Sequence, residues 1–100
     1  MFQFIRTATP KNGGSVAPAL QFAAEVTGFV NKRYGIGLRF GIRLFGNSDL
    51  FWQFEIDSVD KITALNAKLM QDREYLALLD RAKELWVDGS MQDTIVASLG

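Results

Sequence analysis

Arg39, Arg43, Gln53, Glu55 and Asp57 form the constellation best suited to chemistry in this chain. Ile36 to Phe45 alternates apolar and other residues, placing Arg39 and Arg43 on one face with Gly37, Gly41 and Phe45. Leu50 to Asp57 alternates in the same way and puts Phe51, Gln53, Glu55 and Asp57 together. Joined as a hairpin, these two runs set arginine forks opposite carboxylates. That geometry serves a bidentate ion pair and equally the grip of a ligand carboxylate. If Asn47-Ser48-Asp49 is the loop, Arg43 pairs with Gln53, Gly41 with Glu55 and Arg39 with Asp57; a longer loop of five residues pairs Arg39 with Glu55. A loop of two or four residues would turn Arg43 to the face of Trp52 and break the alternation. Arg39, Arg43, Gln53 and Glu55, flanked by Phe45 and Phe51, are therefore the candidate ligand-binding residues, with Gly41 leaving room beside Glu55. The competing reading is a structural ion-pair network at a dimer interface or in a barrel lumen. A catalytic Glu55 would need burial to raise its pKa, and a neighbouring arginine opposes that.

The residue types that are missing narrow the chemistry further. Among 100 residues there is no cysteine and no histidine. Thiol nucleophiles, disulfides, thiolate metal sites and Ser-His-Asp triads are thus excluded, as is the commonest general base. Gly35, Gly37 and Gly41 lie along a strand rather than in a turn leading into a helix, so they do not form a phosphate loop. No cofactor and no metal is expected, and any chemistry falls to carboxylate, arginine, amide or aromatic groups.

Eleven basic and eleven acidic residues cancel, which gives little long-range attraction for nucleic acid or anionic lipid. The balance is uneven along the chain: residues 1–50 hold six bases against two acids, a charge of +4, and the rest holds −4. The charges are dispersed, so the halves are expected to meet each other. A hydrophobic share of 48% with 22% charged residues is that of a packed globular chain, and residues 1–100 are read as one domain. No run approaches the roughly 18 apolar residues of a membrane span. Met1 to Arg6 lacks a basic leader with a long apolar core, which reads as a mature cytoplasmic protein.

The elements that must position the site follow from periodicity and punctuation. Met1 to Thr7 reads as a strand, and Pro10-Lys11-Asn12-Gly13-Gly14 as a mobile loop. From a cap at Ser15, polar Gln21, Glu25, Gly28 and Lys32 mark the single wet stripe of a helix that ends at Gly35. The two alternating strands follow, separated by Gly46-Asn47-Ser48-Asp49. Asp57 or Ser58 caps a helix carrying Ile62, Leu65 and Leu69; after a break at Gln71-Asp72, Asp72 caps another, with Tyr75, Leu79, Ala82 and Trp86, ending at Gly89. Met91 to Leu99 reads as a closing strand. Asp93 there shares a face with Met91, Ile95 and Ala97 and needs a partner, for which Arg6 or a backbone amide is expected.

The order is β-α-β-β-α-β with the second helix broken, the ferredoxin-like α+β pattern of a four-stranded antiparallel sheet with helices on one face. The other face carries Arg39, Arg43, Phe45, Phe51, Gln53 and Glu55, too aromatic for a free surface and too charged for a dry core. A homodimer, or a higher homo-oligomer, that packs two such faces into one barrel accounts for both.

Leu50-Phe51-Trp52-Gln53-Phe54-Glu55, the helix through Ala64-Leu65, Asp72-Arg73-Glu74-Tyr75 and Gly89-Ser90-Met91-Gln92-Asp93-Thr94-Ile95 resemble the NIPSNAP family of the dimeric α+β barrel superfamily. The likeness covers roughly the second half of the chain. It implies a ferredoxin-like protomer, a barrel dimer and, for most members, no firmly established reaction. Some oxygenases of that superfamily use asparagine and tryptophan beside an apolar cavity, without metal or flavin. Trp52, Asn66 and Trp86 are the matching residue types, although both tryptophans fall on stripes expected to pack the core. The functions in view are a small dimeric protein binding an aromatic or anionic molecule in its lumen, a cofactor-independent oxygenase or isomerase of activated aromatic or lactone substrates, and a purely structural oligomer.

Overall fold

The computed structural model describes residues 1–43 and 48–99. Its elements are β1 (Phe2–Ala8), α1 (Val16–Tyr34), β2 (Arg39–Ile42), β3 (Leu50–Ile56), α2 (Val59–Met70), α3 (Arg73–Arg81) and β4 (Gln92–Ala97). The strands form one antiparallel sheet in the order β2-β3-β1-β4, the ferredoxin-like arrangement expected. Alternation in β3 buries Leu50, Trp52 and Phe54 and turns Phe51, Gln53 and Glu55 to the opposite face. Register carries that division across the sheet. Ala8, Arg6 and Phe4 oppose Leu50, Trp52 and Phe54, while Arg6 opposes Asp93 on its other side.

The helical layer is anchored by α1. Ala19 and Ala23 are completely buried, and Val26 and Val30 nearly so, whereas Gln21, Glu25, Gly28 and Lys32 form the exposed stripe. Gly35 ends the helix in the left-handed region at φ 62°, donating its N–H to Asn31. Ser15 makes no side-chain cap: it belongs to a tight turn, Gly13–Ser15, with helical backbone angles of its own. Ser58 does cap α2, its hydroxyl accepting from the Lys61 N–H at 3.2 Å.

Asp72 does more than cap α3. Its carboxylate accepts from the backbone of Glu74 and Tyr75, from the Tyr34 hydroxyl at 2.6 Å and from Arg33 at 3.0 Å. The Tyr34 hydrogen bond, with the Tyr75 N–H and Arg33, holds the Asp72 carboxyl below its ordinary range against the cost of burial. The same bond pushes the Tyr34 phenol up. One residue thus joins the end of α1 to the start of α3.

Three segments depart from the periodicity. The strand expected from Ile36 begins only at Arg39, because Gly37 takes φ 70° and the Asn31 side chain, instead of β3, occupies the backbone of Leu38. Asn31 accepts the Leu38 N–H at 2.7 Å and donates to its carbonyl at 2.9 Å. The other end of that strand, Leu44 and Phe45, and the turn residues Gly46 and Asn47 lie outside the described residues. The stripe through Tyr75, Leu79, Ala82 and Trp86 spans a helix that stops at Arg81 and a single tight turn at Lys83–Leu85, after which Trp86 is extended. That extension lets residues 85–87 run beside residues 9–11: Lys11 donates to the Leu85 carbonyl at 2.8 Å and Val87 to that of Thr9 at 2.9 Å. The start of the first loop is therefore tied down rather than mobile, with Thr9 also donating to Asp49 through its hydroxyl and to Ser90 through its N–H.

Asp72→Ala is expected to lower the melting temperature by about 4 °C or more, with Asp72→Asn losing less because asparagine still caps. Because the folded carboxyl titrates low, wild type should hold its advantage over Asp72→Asn above pH about 4 and lose it as pH falls further. Thermal melts across the acid range check both the order and the window.

Candidate functional site

The hairpin places Arg39 opposite Gln53, Gly41 opposite Phe51 and Ile42 opposite Leu50. This is a slip of two residues or more from either expected register, and it keeps every side chain on the expected face. The consequence is that the forecast arginine-to-carboxylate pairs do not form. Among the described residues Arg39 and Glu55 make no ion pair, and Asp57 is held instead by Lys61 at 2.8 Å. Arg43 turns to Asp49, its N–H donating to the Asp49 carbonyl at 2.9 Å and its guanidinium 3.6 Å from the carboxylate. Phe45 lies outside the described residues. Arg39, Phe51, Gln53 and Glu55 share the face of the sheet that no helix covers.

Two contacts explain the register. Asp49, read as a turn residue, is buried and accepts the Thr9 hydroxyl at 2.7 Å, pinning the start of β3. The Phe51 ring lies over Gly41 so closely that a Cβ there would sit 2.7 Å from a ring carbon. The space beside Gly41 therefore belongs to Phe51, not to Glu55 or a ligand. An aromatic laid across a strand glycine is a recognised way of fixing register, and matching Gly41 to Phe51 is the signal that loop-length arguments miss.

On the helix-covered face lies a cleft of about 770 Å³. Phe4, Arg6, Trp52, Phe54, Asp93 and Ile95 from the sheet form its floor, and Ile62, Leu65, Asn66 and Leu69 of α2 form one wall. Tyr75 of α3 and the segment from Trp86 to Met91 complete it. The cleft exists because α2 buries only Ile62 and β4 is exposed along its whole length, with Ile95 44% exposed and Met91, just before the strand, 60% exposed. One side is closed by Phe22, Trp52 and Trp86, three rings packed edge to face with centroids 5.8 to 6.4 Å apart. Trp52 and Trp86 do pack the core as expected, and with Asn66 they also line the cleft.

Two polar features stand out in this apolar setting. The Trp52 indole N–H is buried without a hydrogen-bond partner, which is uncommon for a buried donor. Arg6 and Asp93 form the pair expected for the closing strand, Nε donating to Oδ1 at 2.7 Å and Nη2 to Oδ2 at 2.9 Å. The Asp93 hydrogen bonds outweigh partial burial and strengthen the hold of Arg6 on its proton. The arginine side chain is 22% exposed and the aspartate 42%, so the cleft can reach both.

No protein-family model matches the chain, and no curated protein matches it in sequence. Its likeness is to solved structures. A NIPSNAP family protein with unknown function from Agrobacterium tumefaciens aligns at TM-score 0.79, covering 96% of this chain and 86% of that one at 23% identity. An uncharacterized NIPSNAP domain protein from Burkholderia xenovorans aligns at TM-score 0.81 over 99% and 95% of the two chains, at 16% identity. An antibiotic biosynthesis monooxygenase aligns at TM-score 0.72 over 100% of both chains, at 7% identity. At such identities the shared property is the fold. The chain has the NIPSNAP-like, ferredoxin-like α+β fold that the residues of its second half resemble.

Replacing Arg6 by Met and Asp93 by Asn, singly and together, should give a coupling energy of about 0.5–1 kcal/mol, as for a cross-strand ion pair open to solvent on one side. Urea denaturation of the four proteins measures it.

Proposed function

We propose that this protein is a small-molecule-binding protein that takes a compact, largely aromatic ligand into the cleft between its sheet and helices. The observation that supports this reading is the cleft itself: about 770 Å³, walled by aromatic and aliphatic side chains, with one polar pair on its floor. Volumes of this order suit molecules of drug size, and a few polar groups in an apolar wall are the usual means of orienting them. On the same reading the protein works as a homodimer. The uncovered sheet face, with Ile5 and Phe51 among Arg39, Gln53 and Glu55, packs against a second copy to close a barrel, and Arg39, Arg43, Gln53 and Glu55 line its lumen. The fold supports this arrangement, since an open sheet face of mixed character needs either a ligand or a partner.

A second reading is a cofactor-independent oxygenase acting on an electron-rich aromatic molecule in the same cleft. It is favoured by Trp52, Asn66 and Trp86 lining one space and by the likeness to a protein named as a monooxygenase. Oxygen uptake with the tightest-binding phenol separates catalysis from binding alone.

Naphthalene-type probes should quench tryptophan fluorescence and raise the melting temperature. Leu65→Trp, which fills the cleft from α2, should abolish both effects while circular dichroism stays native. Arg39→Ala with Arg43→Ala should leave binding intact; loss of binding in that double variant, with Leu65→Trp still competent, would move the site to the lumen. Sedimentation at micromolar concentration should show about twice the 11.2 kDa of one chain, and a species of one chain only would overturn the barrel.

A further inference from the structure

Resting on the cleft reading above, we infer that the ligand is uncharged and meets the floor of the cleft through neighbouring donor and acceptor atoms, as in an amide, a lactam or a hydroxy-ketone. The charged residues lining the cleft are Arg6, Asp88 and Asp93. Arg6 is already neutralised, its Nε and Nη2 spent on the two oxygens of Asp93 at 2.7 and 2.9 Å. What remains is the charge of Asp88, exposed at the rim. A ligand carboxylate would leave water for apolar walls, a compensated guanidinium and a net negative lining, which is unfavourable on each count. An ammonium would shed its water against apolar walls and stand beside the Arg6 guanidinium, whose like charge opposes it.

The pair nevertheless has capacity left. A guanidinium carries five N–H groups, of which this pairing uses two, and each carboxylate oxygen can accept a second hydrogen bond. A ligand carbonyl accepting from Arg6 beside an N–H or O–H donating to Asp93 engages both partners and adds no net charge. The ring of Phe4, 5.8 Å from the Arg6 guanidinium carbon, gives the aromatic body of such a ligand an apolar floor next to its polar end.

The test compares naphthalene carboxamide, naphthalene carboxylate and naphthalene methylammonium by tryptophan quenching at neutral pH, with naphthalene as the bare body. The carboxamide should bind about tenfold tighter than either ion. Asp93→Asn frees Arg6 and should reverse the order, favouring the carboxylate; Asp88→Asn, a surface change that leaves the fold alone, should narrow the gap from the same side. A carboxylate that binds wild type as tightly as the carboxamide, or an order unmoved by both substitutions, overturns the inference and leaves the cleft standing. Silence from all four compounds overturns the cleft reading and the inference with it.

Discussion

Ala19 and Ala23 present no surface to solvent, and the close seating of α1 that they allow governs the rest of the helical layer. Small side chains bring the helix backbone down against β2 and α3, where Val26, Val30, Leu50, Trp52, Tyr75 and Leu78 join one apolar cluster. Each large side chain buried in that cluster contributes about 1.5–3 kcal/mol, so the cluster holds most of what keeps the layer in place. With α1 and α3 committed to one side, only α2 is left to shelter β1 and β4. It buries a single residue, Ile62, and leaves β4 bare. The cleft is the space left by this uneven coverage, not an excavation in a filled core.

Polar contacts then close the chain on itself. Thr9 binds Asp49 and Ser90, residues 9–11 run beside residues 85–87, and Arg6 grips Asp93. These ties join the first strand and loop to the start of β3 and to the final quarter of the chain. The opposed charges of the two halves meet in the same way, through Arg6 with Asp93, Arg33 with Asp72 and Glu74, and Lys11 with Glu84. Exposed pairs of this kind contribute little individually. Arg33 with Asp72 differs, because the carboxylate is buried and bonded to three other groups, Arg33 apart, at two helix ends.

Alternation within residues 39–42 and 50–56 was enough to assign faces, and with the caps at Ser58, Asp72 and Gly35 it gave the order of elements. The partnership of Arg6 and Asp93 was equally legible, since an acid on the apolar face of an edge strand has few alternatives. Register was not, because a slip of two residues preserves every face and only the seating of Phe51 on Gly41 and of Asp49 under Thr9 distinguishes the choices. The cleft was hidden for a related reason. Ile62, Leu65 and Leu69 make the same stripe whether they seal a core or line an opening, and whether β4 is covered depends on how α1 and α3 pack rather than on α2 alone. Sequence reasoning therefore put its first candidate chemistry on the uncovered face, where charged residues alternate visibly, and its second on Trp52, Asn66 and Trp86, with both tryptophans expected to pack the core.

The two faces can be told apart in one measurement, an NMR titration with a naphthalene probe that follows the two tryptophan indole signals and the side-chain amides of Asn66 and Gln53. Binding in the cleft moves the signals of Trp52, Trp86 and Asn66 and leaves Gln53 where it was. Movement of Gln53 with the other three unmoved would place the ligand on the opposite face of the sheet and contradict the cleft as the functional site.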